Sequence, residues 1–199
     1  MRFTIAITVY KSPEFLPRAV QTVLSQTVDD WEMLVYSDGR STVAEQVVGE
    51  VEDLGRVHYR RHRRRRGSYG NRLRRLALEE GRGDYVCYLG HDCLLYPTYL
   101  ETHAATLDAA PEALSLVRVA YWKNTVRRGT YPVGDDLMAL GEGEFDLMCL
   151  AFPRRLALEV GCFDAEMESI RSADYISFDR LRRHATPILS DAPEQGAHF

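Results

Sequence analysis

The sequence predicts an α/β fold: a mainly parallel, mixed sheet with helices on both faces, built as one domain over residues 1–199. Three observations carry this expectation. Short runs rich in β-branched and aromatic residues alternate with stretches whose apolar residues recur at helical spacing, the pattern of βαβ units. The strand-like runs are nearly continuous in apolar character, as suits strands covered on both faces. Two of them, Met33-Leu-Val-Tyr36 and Tyr85-Val-Cys-Tyr-Leu89, lead directly to isolated carboxylates, Asp38 and Asp92. In such sheets ligands bind beyond the carboxyl ends of the strands, so these two acids matter more than the others.

The elements follow in order. Phe3 to Val9 reads as a buried strand. Ser12-Pro13-Glu14 predicts a capped helix start with proline in the first turn, after which Phe15, Leu16, Ala19, Val20, Val23 and Leu24 mark one apolar face. Trp31 to Tyr36 is the second strand, Val43 to Leu54 a helix, and Arg56 to Arg60 a short third strand. Asn71 to Glu80 is helical and stopped by Gly81-Arg-Gly83; Tyr85 to Leu89 is the fourth strand. A helix after Pro97 runs to about Ala109, and a strand lies near Leu114 to Ala120. Residues 121–144, rich in glycine, tyrosine and charge, predict a mobile loop or short hairpin over a site. Phe145 to Phe152 returns to the core, and helices cover Pro153 to Val160 and Ala173 to Arg183.

Composition narrows the class. Hydrophobic content of 45% and charged content of 27% are ordinary for a globular protein, and the net charge of −4 argues against a general polyanion binder. Charge is uneven, however: ten of the 25 Lys and Arg residues fall between Arg56 and Arg75. The run Arg60 to Arg66 admits three readings: a contact to phosphate, a site for an anionic acceptor such as nucleic acid, or a solvated loop. Only Tyr59 and Tyr69 supply aromatic interleaving, so nucleic acid is weakly supported. Cys87, Cys93, Cys149 and Cys162 have no metal-ligand spacing and read as buried free thiols, and no apolar run approaches a membrane span. A cytoplasmic protein is the expectation. Two acids at strand ends with a basic loop between them suit a nucleoside diphosphate and a metal ion.

The residues resemble the family 2 inverting glycosyltransferases of the GT-A, Rossmann-like fold, over nearly the whole chain. The resemblance rests on Ile5-Ala-Ile-Thr-Val-Tyr10, Ala19-Val-Gln-Thr-Val-Leu-Ser-Gln-Thr27, Trp31 to Gly39, Gly70-Asn71 before a helix, Gly83 to Asp92, and Val160-Gly-Cys-Phe-Asp164 ahead of Ala173-Asp174. It implies a nucleotide-sugar-binding half at 1–95 and an acceptor half at 96–199. Thr8, Val9, Tyr10 and Asp38 would hold base and ribose. Apart from the resemblance, Arg66 and Arg72 of the basic run are the candidates to touch donor phosphate, Asn71 and His91 are further donor-binding candidates, and His91 is also a candidate imidazole for the metal. Asp92 and His198 would ligate a divalent metal, Mn²⁺ or Mg²⁺, and Asp174 would be the catalytic base. The departures are informative. Ser37 stands where a first Asp is common, Gly90 where the metal motif begins with Asp, Cys93 at a further acid, Ala173 at the Glu before the base, and Gly70 at a basic residue.

Glycosyl transfer requires charge stabilisation on a departing diphosphate and removal of a proton from an acceptor hydroxyl. Asp174 is the expected base, with Asp164, Glu166 and Glu168 as runners-up. Tyr121, Trp122, Tyr131 and Asp146 are candidates to contact a sugar acceptor. The alternative is a non-catalytic nucleotide or nucleotide-sugar binding module of the same fold, favoured by the missing carboxylate at Gly90. A nucleotidyltransferase is less favoured, because Lys11-Ser-Pro-Glu-Phe15 replaces the glycine-rich loop expected after the first strand. The acceptor, the donor base and the oligomeric state are not legible.

Overall fold

The computed structural model describes residues 1–10, 12–51, 55–62 and 68–199. The first strand, β1 (Phe3–Val9), pairs in parallel with β2 (Trp31–Asp38) on one side and β4 (Tyr85–Gly90) on the other. Beyond β2 lies β3 (Val57–His62), also parallel. The opposite wing is completed by β6 (Leu114–Leu116), β9 (Leu150–Pro153) and β10 (Pro187–Leu189), giving the order β10-β6-β9-β4-β1-β2-β3. Only β9 runs antiparallel to its neighbours, so the sheet is mixed and mainly parallel, and it joins strands from both ends of the chain.

Alternation along the strands divides the core. Phe3, Ile5, Ile7 and Val9, with Trp31, Met33 and Val35, face α1 (Leu16–Leu24), α2 (Thr42–Gly49) and α4 (Tyr99–Ala109). Ala6, Leu34, Tyr36, Val86 and Tyr88 face α3 (Asn71–Glu80), α5 (Arg154–Glu159) and α6 (Ala173–Arg182). The period of two in a strand therefore feeds two separate cores on either side of one layer. Because β1–α1–β2–α2–β3 winds one way and α3 returns the chain to β4 beside β1, the winding direction reverses between β1 and β4. A crevice opens at such a switch point, outside the carboxyl ends of the strands.

Several local expectations are corrected. Ser12 adopts a left-handed backbone (φ 51°) and makes no side-chain cap; Pro13–Phe15 form a 3-10 turn before α1. The helix expected to run from Val43 to Leu54 starts at Thr42, capped by Ser41 Oγ accepting from the Ala44 amide at 3.2 Å, and ends at Gly49; 52–54 lie outside the described residues. Gly81 ends α3 in extended conformation, so no left-handed cap is made. Glycine is required there by close approach, since a Cβ would sit 2.7 Å from the Ala77 carbonyl oxygen and 2.9 Å from Thr4 Oγ1.

The segment 121–144, expected as a mobile loop or short hairpin, contains ordered pairing. The strands β7 (Val119–Lys123) and β8 (Val126–Tyr131) form a hairpin within a second sheet, ordered β5-β11-β7-β8. Its other members, β5 (Leu94–Leu95) and β11 (Gly196–His198), are too short to leave a periodic signal in sequence. This small sheet brings the C-terminal residues back to the crevice.

Candidate active site

The parallel register sets the depth of the crevice. Thr8 lies level with Tyr36 on β2 and Gly90 on β4, so two residues further on stand Asp38, the last residue of β2, and Asp92, in the turn just past β4. Asp174 reaches the same place from the first turn of α6, on the other core face. Together Asp38, Asp92 and Asp174 line one cleft of about 710 Å³, within the usual range of small-molecule sites. Thr8, Val9, Tyr10, His91 and His198 line it too.

Each aspartate is fixed differently. The turn carrying Asp38 is pinned by Ser37, whose Oγ donates to the Gly39 carbonyl at 2.7 Å. Having spent its only proton there, Ser37 Oγ accepts from Tyr59 Oη of β3, 2.6 Å away. Asp92 is exposed in the turn after β4, closed by the Cys93 amide donating to Gly90 O at 3.0 Å. Its carboxylate folds back over Gly90, where an added Cβ would lie 2.9 Å from both Asp92 Oδ1 and Cys93 Sγ. The glycine at the usual start of the metal motif is therefore matched to the packing of its neighbours. Asp174 Oδ1 accepts the Tyr175 amide at 2.9 Å.

The floor holds an ion pair. His198 is delivered by β11, and its Nδ1 lies 2.7 Å from Asp146 Oδ2. Asp146 also caps the 3-10 turn Leu147–Cys149, accepting from the Met148 amide at 2.8 Å. The Asp146 carboxylate, helped by Cys93, raises the His198 pKa to about 11 against the opposing effect of burial. Burial pushes the Asp146 carboxyl up, but His198 and the Met148 amide outweigh it and hold it below the ordinary range. Burial pushes the Cys93 thiol pKa up. Tyr121 and Tyr131 pack edge-on to the imidazole, with centroids 5.7 and 6.5 Å away.

Two sequence-predicted donor contacts do not fall on the cleft. Asn71 is fully buried: its Nδ2 donates to Met167 O at 3.0 Å and Ile170 O at 2.8 Å, clamping the segment before α6 onto α3. Arg72 is exposed, donates from Nε to His62 Nε2 at 3.2 Å and lines a neighbouring groove with Arg75 and Phe163. Arg66, with Arg63 to Arg65, lies outside the described residues. Of the same run, Arg60 pairs with Glu80 at 3.5 Å and Arg61 with Glu45 at 4.0 Å. Sequence reasoning overlooked Tyr69 and Arg74, which do line the cleft. With α3 starting at Asn71, Leu73 faces inward and Arg74 follows it towards the cleft, whereas Arg72 points away. That signal was available once Leu73 was read as inward.

Among the described residues, no three His, Cys, Asp or Glu side chains gather closely enough to hold a metal ion. The available donors are one exposed carboxylate, Asp92, and the His198 imidazole, whose Nδ1 lies beside the Asp146 carboxylate and leaves the other ring nitrogen for a ligand. This set does not fit a preformed cage. It fits a cation held largely by a nucleotide's own phosphates, which needs one or two protein ligands.

The arrangement agrees with comparisons to known proteins. A family model for Glycosyl transferase family 2 matches residues 4–148. The chain belongs to that family. Among curated family relatives, it is 26% identical to Protein CgeD of Bacillus subtilis over 94% of this chain and 47% of that protein. It is 23% identical to glucosyl-dolichyl phosphate glucuronosyltransferase of Haloferax volcanii over 98% of this chain and 64% of that protein. The chain thus spans about half to two thirds of these relatives' lengths. The fold matches the crystal structure of S. aureus TarS 1-349 with a TM-score of 0.82, at 14% identity, over all of this chain and 60% of that one. That protein has also been solved in complex with UDP and with UDP-GlcNAc. These matches make the chain's fold that of GT-A glycosyltransferases. Among the described residues, no helix is long and apolar enough to cross a membrane.

Proposed function

We propose that this family 2 domain transfers a glycosyl group from a nucleoside-diphosphate sugar to an acceptor hydroxyl, with inversion and with the help of a divalent cation. One observation carries the reading: Asp38, Asp92 and Asp174, far apart in sequence, line the same cleft at the switch point of the sheet. Asp38 and the end of β1 bind the nucleoside. Asp174 takes the proton from the acceptor hydroxyl as its oxygen attacks the anomeric carbon. The bond from that carbon to the diphosphate oxygen breaks, and its electron pair leaves with the nucleoside diphosphate. Attack opposite the leaving group inverts the centre.

A Mn²⁺ or Mg²⁺ ion, held by Asp92, by His198 through the nitrogen not turned to Asp146, and by the donor's phosphates, would supply positive charge to the leaving diphosphate. His198 must then give up its proton, so cation binding is expected to release one. The hairpin residues Tyr121 and Tyr131 beside His198 are the proposed acceptor side. Four buried free cysteines suit a reducing compartment, the cytoplasm.

A panel of UDP-, GDP- and dTDP-sugars, uridine donors first because TarS has been solved with UDP-GlcNAc, tests this by release of nucleoside diphosphate with Mn²⁺ or Mg²⁺. The second reading, a nucleotide-sugar binding module without turnover, is favoured by the lack of a three-ligand metal cluster among the described residues. Binding of a donor with neither transfer nor hydrolysis, across the acceptors tried, selects that module.

A further inference from the structure

Among the described residues, the cleft wall contains one cation that the proposed chemistry has not used. We infer that Arg74 supplies the protein's own fixed positive charge to the diphosphate of the donor, from one helical turn beyond Gly70. The inference rests on the glycosyl-transfer reading above and deepens it.

Gly70 is why the charge comes from elsewhere. It occupies a left-handed conformation (φ 80°), and a Cβ there would sit 3.5 Å from Thr8 Oγ1. The space is tolerable, but the backbone strains any side chain, a basic one included. The next residue of α3 to reach the cleft with a cation is Arg74.

The hydrogen-bond partners that hold Arg74 in place are neutral, and its charge is also felt by Asp146 across the cleft. Its Nη1 donates to Asn71 Oδ1 at 3.0 Å and to Tyr69 O at 3.3 Å, and its guanidinium carbon lies 5.6 Å from the centre of the Phe163 ring. Both hydrogen bonds leave from one nitrogen, so Nε and Nη2 keep donors for a ligand, in the planar fork that suits phosphate. The Asn71 amide that holds Arg74 is the same group that clamps Met167 and Ile170, ahead of Asp174. Cation and proposed base therefore share one buried anchor.

The charge balance of the cleft requires such a group. Asp38, Asp92, Asp146 and Asp174 all line it, and the cation His198 is taken up by Asp146. A diphosphate entering this wall also meets the Asp92 and Asp174 carboxylates. The positive end of α3 opens on the same side and helps, but a ten-residue helix offers only a fraction of a charge. When the bond to the anomeric carbon breaks, negative charge grows on the diphosphate oxygen, and a guanidinium already fixed by its neighbours stabilises it without reorganising.

The test is calorimetric titration of wild type, Arg74→Ala, Arg74→Lys and Arg72→Ala with UDP, GDP, dTDP and ADP and with the matching nucleosides, in EDTA and in Mn²⁺. For the diphosphate that wild type binds, Arg74→Ala is expected to weaken affinity about 10-fold or more and leave the nucleoside unchanged, as loss of one charge-assisted contact implies. Arg74→Lys should be intermediate and Arg72→Ala like wild type, and kcat of Arg74→Ala should fall about 10²-fold. If Arg74→Ala does not fold, Arg74→Gln, which keeps length and hydrogen bonding without charge, is read in the same way. Equal diphosphate affinity in wild type and the uncharged variant overturns the inference alone. Failure of wild type to bind any nucleoside diphosphate overturns the glycosyl-transfer reading with it.

Discussion

His198 Nδ1 and Asp146 Oδ2 lie 2.7 Å apart, joining the small C-terminal sheet to the turn before β9 at the floor of the cleft. Asp146 raises the His198 pKa to about 11, so the imidazolium's contribution to stability is complete below the unfolded value of about 6.5 and is lost as pH rises through about 11. The Asp146 carboxyl, held low by the same contact, contributes above the ordinary Asp range and loses its effect as pH falls through its folded value. His198→Ala leaves a partly buried carboxylate without its partner and is expected to cost about 2 kcal/mol, less than a fully buried pair because the imidazole is 32% and the carboxylate 22% exposed. Urea unfolding at pH 7 and pH 10.5 checks this: the gap between wild type and variant should narrow at the higher pH.

Asp174→Asn keeps size and the hydrogen bond to the Tyr175 amide but abolishes the proposed base. Turnover should fall about 10²–10⁴-fold while donor affinity stays within about twofold. Pre-steady-state transfer and nucleotide titration separate the two; a variant with wild-type turnover removes Asp174 from the mechanism.

Tyr59→Phe deletes the only donor to Ser37 Oγ from β3 among the contacts that pin the Asp38 turn. Packing is preserved, so melting should change little. Affinity for the nucleoside should drop about threefold to fivefold, the equivalent of one modest hydrogen bond of about 1 kcal/mol. An unchanged dissociation constant means the turn is held without this hydroxyl.

Glu32 lies fully buried on β2, away from the cleft. Burial opposes its charge, but the Arg82 amide, Thr4 Oγ1 at 2.7 Å and Arg82 Nε at 2.9 Å reverse this and lower its pKa. Its contribution is therefore present above the ordinary Glu range, near 4.3, and is lost as pH falls through the lowered value. Glu32→Gln should destabilise by about 1–3 kcal/mol at pH 7, with the difference shrinking towards pH 3. Denaturant midpoints across that range measure it, and a constant difference would falsify the charge-based account.

The run of strands and helices from Phe3 to Gly90 was legible because buried strands and amphipathic helices carry their periods in the sequence, and α3 starts and ends where its pattern does. Asp38 and Asp92 were legible for the same reason: a residue at or just past the end of a parallel strand must sit at the carboxyl edge of the sheet. Contacts between distant segments leave no such trace. Nothing local in Asn71 says that its amide will be spent on Met167 and Ile170 instead of a ligand. Nothing local in Asp146 says that it will meet His198, and strands as short as β5 and β11 are held by pairing partners alone. Sequence by itself determined the layer architecture and the edge where ligands gather, through periodicity and strand direction. Only the tertiary structure decided which charges in the cleft are neutralised and which remain for a ligand, because that depends on side chains brought together by the folded backbone.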